Sequence, residues 1–231
     1  MFMLSLVFPV YNEEKNLEKN MIKTMEFLNK LKTGYEIIIA EDGSTDRTYE
    51  IGLRLSKKYK NIRVLHSSIK LGRGKALKRA FFLAKGKYVG YMDIDLATDL
   101  KSLKDLIRYV KKYDVVTGSR YLKNSKIKRT HKRIFLSWSY NFLARLLFNS
   151  RIHDHQCGFK AFKKKVVVRL NKLSNADHWF WDTEILILAQ KYGYSVREFP
   201  VSWKESRKTK VNVFGDSLNM FINLIKLRMK I

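Results

Sequence analysis

The chain of 231 residues has a single cysteine, Cys157, so it forms no internal disulfide and suits a reducing compartment. Acidic residues are scarce: 21 Asp and Glu stand against 47 Lys and Arg, leaving a formal charge of +26. Such an excess attracts nucleic acid, anionic headgroups or phosphorylated substrates, and does not choose among them. Long uncharged apolar runs are missing too, since none reaches the roughly 18 residues that a membrane span needs. The apolar start, Met1 to Val10, has no basic leader and runs into Pro9, so it reads as a first core strand rather than a signal peptide. No repeat or low-complexity linker marks a domain boundary.

What is present fits one good-sized core: 45% of residues are hydrophobic. Through the first half, apolar runs alternate with amphipathic helical patterns, which predicts α/β architecture with a mostly parallel sheet. Strands are expected near Leu4 to Phe8, Glu36 to Ala40, Ile62 to His66, Tyr88 to Met92 and Val115 to Thr117. Helices are expected at Glu13 to Leu31, Asp46 to Tyr59, Lys75 to Ala84 and Leu100 to Val110, the second capped by Ser44, Thr45 or Asp46. After Arg120 the pattern loosens: Lys123 to Arg133 reads as an exposed basic loop, and Ile134 to Phe148 as a helix apolar over most of its surface.

The chemistry gathers where strands end. Asp93-Ile94-Asp95 closes the apolar run Lys87 to Met92, and paired carboxylates in so basic a chain suggest a divalent cation beside a phosphorylated ligand. Phe8-Pro9-Val10-Tyr11-Asn12-Glu13 follows the first strand and Glu41-Asp42-Gly43-Ser44-Thr45-Asp46 the second. Each alone is an ordinary turn or cap. Three such segments at successive strand ends mark the crevice where open α/β sheets bind ligands.

These segments, with Gly118-Ser119-Arg120-Tyr121, resemble family 2 glycosyltransferases of the GT-A fold in order and spacing. Further on, Asp154 to Lys160, Trp181-Asp182-Thr183-Glu184 and Pro200-Val201-Ser202-Trp203 resemble the branch that makes dolichyl-phosphate mannose or dolichyl-phosphate glucose. The resemblance implies a single GT-A domain over 1–231, with a nucleotide-sugar half at 1–120, an acceptor half at 121–210 and an amphipathic C-terminal helix at 211–231. It implies that Pro9, Tyr11, Glu13, Ala40 and Asp42 frame the nucleotide, with Asp42 accepting a base N–H. Asp93 and Asp95, with Ile94 between them, would hold Mg²⁺ or Mn²⁺ against the diphosphate. Arg120, with Arg133, Arg207 or Lys210, would add positive charge to the same leaving group. Asp154 and Gln156 fall in the implied acceptor site. Two departures are visible: Glu41 replaces the first Asp of the pattern, and Ala97 stands where mannose-phosphate synthases often carry a polar residue. Asp95-Leu96-Ala97-Thr98 and Trp203 lean toward UDP-glucose over GDP-mannose as donor.

The implied reaction is an inverting hexosyl transfer from a nucleotide sugar to a polyprenyl or dolichyl phosphate, with Asp95 and Arg120 in the catalytic machinery. A lipid phosphate is already an anion, so it attacks without a general base. Asp182 or Glu184 would serve as base if the acceptor were a sugar hydroxyl, which is the alternative reading. The expected place is the cytoplasmic face of a membrane. Phe135, Leu136, Trp138, Tyr140, Phe142, Leu143, Leu146, Leu147 and Phe148 after a basic stretch, and Phe214 to Ile231 with its mixed cations, suit interfacial helices, core packing, a membrane subunit or a homo-oligomer.

Other readings fare worse. Gly72-Arg73-Gly74-Lys75 lacks the spacing and following Ser or Thr of a phosphate loop, so its glycines are expected to bring the next helix close to the donor. His153, His155 and Cys157 share a face of an extended segment, but a fourth zinc ligand is missing. Nucleic-acid binding would suit the charge, yet the chain carries no recognised motif for it, and strand-end carboxylates repel phosphate. A nucleotidyltransferase would place a Gly-rich basic loop where this chain has Val10 to Glu13.

Overall fold

Leu4–Val10 forms the first strand, β1, buried on both faces as a central strand of a parallel sheet must be. The computed structural model describes residues 3–205 and 213–231. In chain order the elements are β1, α1 (Leu17–Lys30), β2 (Tyr35–Glu41), α2 (Thr48–Lys58), β3 (Ile62–Leu65), α3 (Arg73–Leu83), β4 (Tyr88–Met92), α4 (Ser102–Val110) and β5 (Val115–Ser119). There follow β6 (Lys126–Lys128), α5 (His131–Phe148), β7 (Phe159–Lys163), α6 (Lys164–Leu173), α7 (Trp181–Lys191), β8 (Val196–Pro200), β9 (Ser202–Lys204) and α8 (Val213–Lys230).

Seven strands make one sheet in the order β3-β2-β1-β4-β7-β5-β8, in which β7 alone runs antiparallel to its neighbours. Helices α1, α2 and α4 cover one face, around Leu6, Phe8, Leu17, Leu55 and Leu106. Helices α3, α6 and α7 cover the other, around Val89, Phe81, Leu170 and Leu186. On this second face Tyr91 lies 5.7 Å from the Trp181 ring and 6.1 Å from that of Phe81, in tilted or edge contacts that fix its hydroxyl.

The five strands expected from sequence form, and so do the helices, with shifted starts. Helix α1 begins at Leu17 rather than Glu13, because the Glu13 and Asn16 backbone is first used in a turn. Asp46 closes a turn just ahead of α2, where its Oδ1 accepts the Thr48 N–H at 2.9 Å; the N-cap itself is Arg47, whose side chain makes no capping bond. The expected loop Lys123 to Arg133 is corrected: it contains β6, which pairs in parallel with β9. Strand β7 slots between β4 and β5 and so brings the segment from Asp154 to Gly158 up to the end of β4.

Helix α5 carries large apolar residues on its outer side as well as Tyr140, Leu143, Leu147 and Phe148 on its inner one. Ser137, Asn141 and Ala144 are its buried residues, while Phe135, Trp138, Phe142 and Leu146 are 53–69% exposed. Its inner side meets α7 and α8 through Ala144, Ile187, Leu224 and Leu227. Among the described residues, no helix is long and apolar enough to cross a membrane.

Candidate active site

The carboxyl ends of β1, β2, β4 and β5 open on one edge of the sheet. Pro9 and Ala40 are register partners at the ends of β1 and β2. The two loops that follow are laced together. Asn12, in the left-handed region at φ 53°, receives the Thr45 N–H at 2.8 Å and donates its own N–H to Ser44 Oγ at 3.0 Å. The backbone N–H of buried Glu13 reaches Thr48 Oγ1 at 2.7 Å. Half-buried Tyr11 has the Lys70 ammonium 4.0 Å above its ring.

Asp42, expected to meet a nucleotide base, also organises the chain around it. Its two oxygens accept the backbone N–H groups of Leu71 at 2.8 Å and Gly72 at 3.0 Å, which draws the start of α3 into the site. Glu41 uses its extra methylene: one oxygen accepts the Ser44 N–H at 2.5 Å, and the other lies 2.5 Å from His66 Nδ1.

At the end of β4, Asp93, Ile94 and Asp95 form a tight turn. Buried Ile94 offers its carbonyl to Asn20 Nδ2 at 2.8 Å, Asp95 Oδ1 accepts the Ala97 N–H at 3.1 Å, and Leu96 takes φ 53°. Arg73 Nη1 donates to Asp93 Oδ1 at 2.6 Å, and Arg73 Nε lies 3.5 Å from Asp182 Oδ2. Asp182 in turn accepts the Tyr91 hydroxyl and the Lys160 ammonium, the latter at 2.9 Å. Burial pushes the Asp93 carboxyl up to about 6; Arg73 pulls it back, and Asp95 and Asp182 add to the rise. Burial works against the Arg73 charge, but Asp93 and Asp182 override it and hold its pKa above the ordinary arginine value.

The loop after β5 carries a second charged centre. Arg120 forks onto Asp154, with Nε to Oδ2 at 2.7 Å and Nη2 to Oδ1 at 2.8 Å, and its backbone N–H adds a third bond at 3.0 Å. Burial would raise the Asp154 pKa, yet Arg120 holds it below the ordinary carboxylate range. The Trp203 ring lies between the guanidinium groups of Arg120 at 5.7 Å and Arg129 at 5.5 Å. Arg129 Nη1 donates to Ser137 Oγ at 2.9 Å, while its buried Nε has no hydrogen-bond partner among the described residues. Arg133 pairs with Glu205. Arg207 and Lys210 lie outside the described residues.

Burial bears on two of the expected residues and leaves Gln156 accessible. Asp154 has no exposed surface and cannot meet an acceptor directly; it positions Arg120. Gln156 is half-buried, with Nε2 3.5 Å from Met220 Sδ on α8. Glu184 is buried and accepts Ser174 Oγ at 2.5 Å and the N–H groups of Asn175 at 3.1 Å and Ala176 at 2.8 Å, so it ties down the loop before α7 and does not face the site. The three candidate zinc ligands diverge: His153 turns to Glu198, His155 to Ser150 and Asn141, and Cys157 is buried. Sequence alone does not single out Arg73, Tyr91 or Lys160; the only trace is the Gly-Arg-Gly string, whose glycines pack the start of α3 against the segment before α7.

The donor set at the β4 end suits a hard divalent cation. Asp93 and Asp95 offer carboxylate oxygens, and a Cβ on Gly158 would sit 2.2 Å from Asp93 Oδ2, so the glycine keeps that oxygen clear. Among the described residues no cluster of three or more His, Cys, Asp or Glu forms a cage, so a cation here would complete its shell with ligand and water oxygens. A separate groove of about 870 Å³, lined by Lys23, Leu96, Asp99, Lys126 and Trp203, lies beside this turn and includes neither Asp93 nor Arg120.

A mostly parallel sheet with an Asp-x-Asp turn at the end of its central strand is the architecture of a GT-A glycosyltransferase. The family model "Glycosyl transferase family 2" matches residues 5–170. "Glycosyltransferase AglD" of Haloferax volcanii is 42% identical over 227 residues, 96% of this chain and 36% of that protein. "Dolichyl-phosphate beta-glucosyltransferase" of Dictyostelium discoideum is 34% identical over 242 residues, 98% of this chain and 74% of that one. This chain therefore spans about a third of the first relative and three quarters of the second. Glucosyl-3-phosphoglycerate synthase from Mycobacterium tuberculosis, solved with Mn²⁺, uridine diphosphate and glucosyl-3-phosphoglycerate, superposes with a TM-score of 0.74 at 18% identity, covering 100% of this chain and 81% of that one. The chain belongs to glycosyl transferase family 2.

Proposed function

We propose that the protein transfers glucose from UDP-glucose to a polyprenyl phosphate, inverting the anomeric carbon to give a β-linked lipid-phosphate sugar. One observation carries the reading: neither candidate base is free to take a proton from a hydroxyl. Glu184 is consumed by the loop before α7, and Asp182 by Tyr91 and Lys160. A site whose two candidate bases are both engaged suits an acceptor that needs none, and a phosphate monoester is such an acceptor. The names of several relatives, dolichyl-phosphate beta-glucosyltransferase in Dictyostelium discoideum and Saccharomyces cerevisiae among them, support glucose and the β product.

In this reading an acceptor phosphate oxygen attacks the anomeric carbon as the bond to the nucleoside diphosphate breaks on the opposite side. No proton moves in that step. Asp93 and Asp95 would hold Mg²⁺ or Mn²⁺, which supplies a Lewis acid for the diphosphate charge. Pro9, Tyr11, Glu13, Ala40 and Asp42 line the side of the crevice proposed for the nucleotide. Arg120, aimed by Asp154, and Arg129, with its unpartnered Nε, present fixed positive charge at Trp203 for the phosphates. Arg133 lies in the first turn of α5 and is kept in the proposal for donor charge; so are Arg207 and Lys210, on sequence grounds. The exposed apolar ridge of α5 suits a membrane surface, where a polyprenyl acceptor is found.

The test is an assay of the purified protein with UDP-glucose or GDP-mannose, Mn²⁺ or Mg²⁺, and a polyprenyl phosphate or sugar-hydroxyl acceptors. Glucolipid from UDP-glucose, lost with a chelator and in Asp95→Asn, is the expected result. Transfer to a hydroxyl acceptor, with none to the lipid phosphate, sinks the reading.

A further inference from the structure

Arg73 is the first residue of α3, and two glycines let it reach the site. A Cβ on Gly72, at φ 102°, would fall 2.4 Å from the His178 ring, and one on Gly74 would fall 2.7 Å from Trp181 Cβ. The helix start is thereby pressed against the segment before α7. The guanidinium lies between the rings of Tyr91 at 5.2 Å and Trp179 at 5.3 Å, with 11% of the side chain exposed. From there it faces Asp93 at 2.6 Å and Asp182 at 3.5 Å. Gly158 makes room from the far side, since a Cβ there would also lie 2.9 Å from Arg73 Nη2.

The cations of this cluster divide the work unequally. Lys160 spends its three N–H groups on Asp182 and on the carbonyls of His155 and Cys157, and makes no bond to Asp93. The direct ionic partner of Asp93 is Arg73. A divalent ion on Asp93 would therefore meet a guanidinium already in place, and two cations that close repel strongly in a partly dry site. A nucleoside diphosphate changes the balance, because its phosphate oxygens can accept from the guanidinium while also binding the ion.

We propose that Arg73 is a stand-in cation and a donor-positioning residue: it holds the Asp93 carboxylate in the ligand-free enzyme and turns to the diphosphate when a divalent cation takes Asp93 over. It rests on the reading that Asp93 and Asp95 hold a metal. Arg73 then makes metal binding conditional on the nucleotide, weakening the bare ion and strengthening the ion together with the diphosphate. By linkage, the same coupling makes the ion raise nucleotide affinity.

Mn²⁺ binding, read from the electron paramagnetic resonance of the free ion with and without UDP, tests this in wild type, Arg73→Met and Asp95→Asn. Arg73→Met is expected to bind Mn²⁺ alone about tenfold tighter than wild type, and UDP in the presence of Mn²⁺ about tenfold weaker. Arg73→Lys, which keeps the charge, falls between the two. Arg73→Gln, which keeps a hydrogen-bond donor without the charge, carries the same expectations if Arg73→Met does not fold. An arginine of merely structural importance would leave the bare Mn²⁺ affinity unchanged or lower it, and either result overturns the proposal. Asp95→Asn separates the layers. Mn²⁺ binding lost there but unmoved in Arg73→Met defeats the role of Arg73 alone; Mn²⁺ binding indifferent to Asp95→Asn defeats the metal reading beneath it.

Discussion

The Lys160 ammonium sits 2.9 Å from the Asp182 carboxylate, with no part of the lysine exposed to solvent. Tyr91 donates to the same carboxylate, and Arg73 faces its other oxygen. An acid so surrounded balances charge inside the protein, with a cation facing each of its oxygens. Asp182→Asn leaves a buried ammonium without its counter-charge and is expected to cost about 3–5 kcal/mol of stability, read from urea denaturation. The double variant Lys160→Met with Asp182→Asn should recover part of that loss, the remainder reflecting the carbonyls of His155 and Cys157 that Lys160 satisfies. A single variant as stable as wild type would show that the pair is not formed.

Glu184 separates structure from catalysis more cleanly. A general base is worth about 10²–10⁴ in rate, so Glu184→Gln must lose that much if Glu184 takes the acceptor proton. Its three bonds to Ser174, Asn175 and Ala176 predict otherwise. The variant is expected to lose about 1–3 kcal/mol of stability, because the amide end cannot accept the bonds that the carboxylate does. Its kcat, measured below the unfolding transition, should stay within a few-fold of wild type.

Arg120 depends on Asp154 for its direction. The fork fixes the guanidinium plane, and a lysine at the same position has a single point of charge and no fork. Arg120→Lys is expected to lower kcat for glycolipid formation by about 10²-fold or more. Asp154→Asn should move the same parameter in the same direction while leaving Arg120 present. Unchanged kinetics in both variants would remove this pair from the machinery.

Much of this arrangement is legible before folding, and the rest is hidden for physical reasons. The strands and helices up to Val115 announce themselves through local alternation, and the Asp-x-Asp turn stands out because two acids follow an apolar strand. Strand β7 does not, since Phe-Lys-Ala-Phe-Lys looks half solvated. Lys160 is buried in it only because Asp182, 22 residues further on, covers its charge. Helix α7 hides in another way: Trp181 through Ala189 are all buried, so it shows no amphipathic stripe. Asp154 and Glu184 read as free acids because the groups that consume them, Arg120 and the backbone at 175 and 176, are brought up by tertiary contacts. Arg73 is hidden in a string that looks like an incomplete phosphate loop.

His155 carries a pH dependence whose sign follows from its partners. Asn141 Oδ1 accepts from the His155 backbone and lies 3.0 Å from Nδ1, so Nδ1 holds the proton. Ser150 Oγ already accepts the N–H groups of Gln190 at 2.8 Å and Ile152 at 3.2 Å, so its own hydrogen points at His155 Nε2, 2.9 Å away. That nitrogen is an acceptor and has no room for a proton. Burial, reinforced by Lys160, lowers the pKa to about 3 although Asp154 pulls upward. The unfolded chain takes up a proton near pH 6.5 that the folded chain refuses until about 3. This site therefore withdraws stability as pH falls through that window, by up to about 1.4 kcal/mol per pH unit. Urea midpoints of wild type and His155→Gln between pH 7 and 4 should converge as pH falls; parallel curves would show that His155 is charged in the fold.

The exposed ridge of α5 makes a prediction that the catalytic site does not share. Phe135, Trp138, Phe142 and Leu146 recur at three- and four-residue spacing on one side of the helix, and the rings of Trp138 and Phe142 stack 5.6 Å apart. The opposite side buries a serine, an asparagine and an alanine, so core packing does not account for the large residues. On α8, Phe221, Ile222, Ile225 and Met229 are likewise exposed, with Arg228 and Lys230 in the last turn. Apolar side chains with nearby cations partition into an anionic lipid surface, each buried ring contributing about 1.5–3 kcal/mol when fully covered. Trp138→Ser and Phe142→Ser are each expected to weaken binding to vesicles containing phosphatidylglycerol by about tenfold, and Trp138 fluorescence of the wild type should shift to the blue on binding. Turnover of a water-soluble short-chain polyprenyl phosphate should be unchanged, because neither residue touches Asp93, Asp95 or Arg120. Equal vesicle binding by wild type and both variants would show that the ridge does not face lipid.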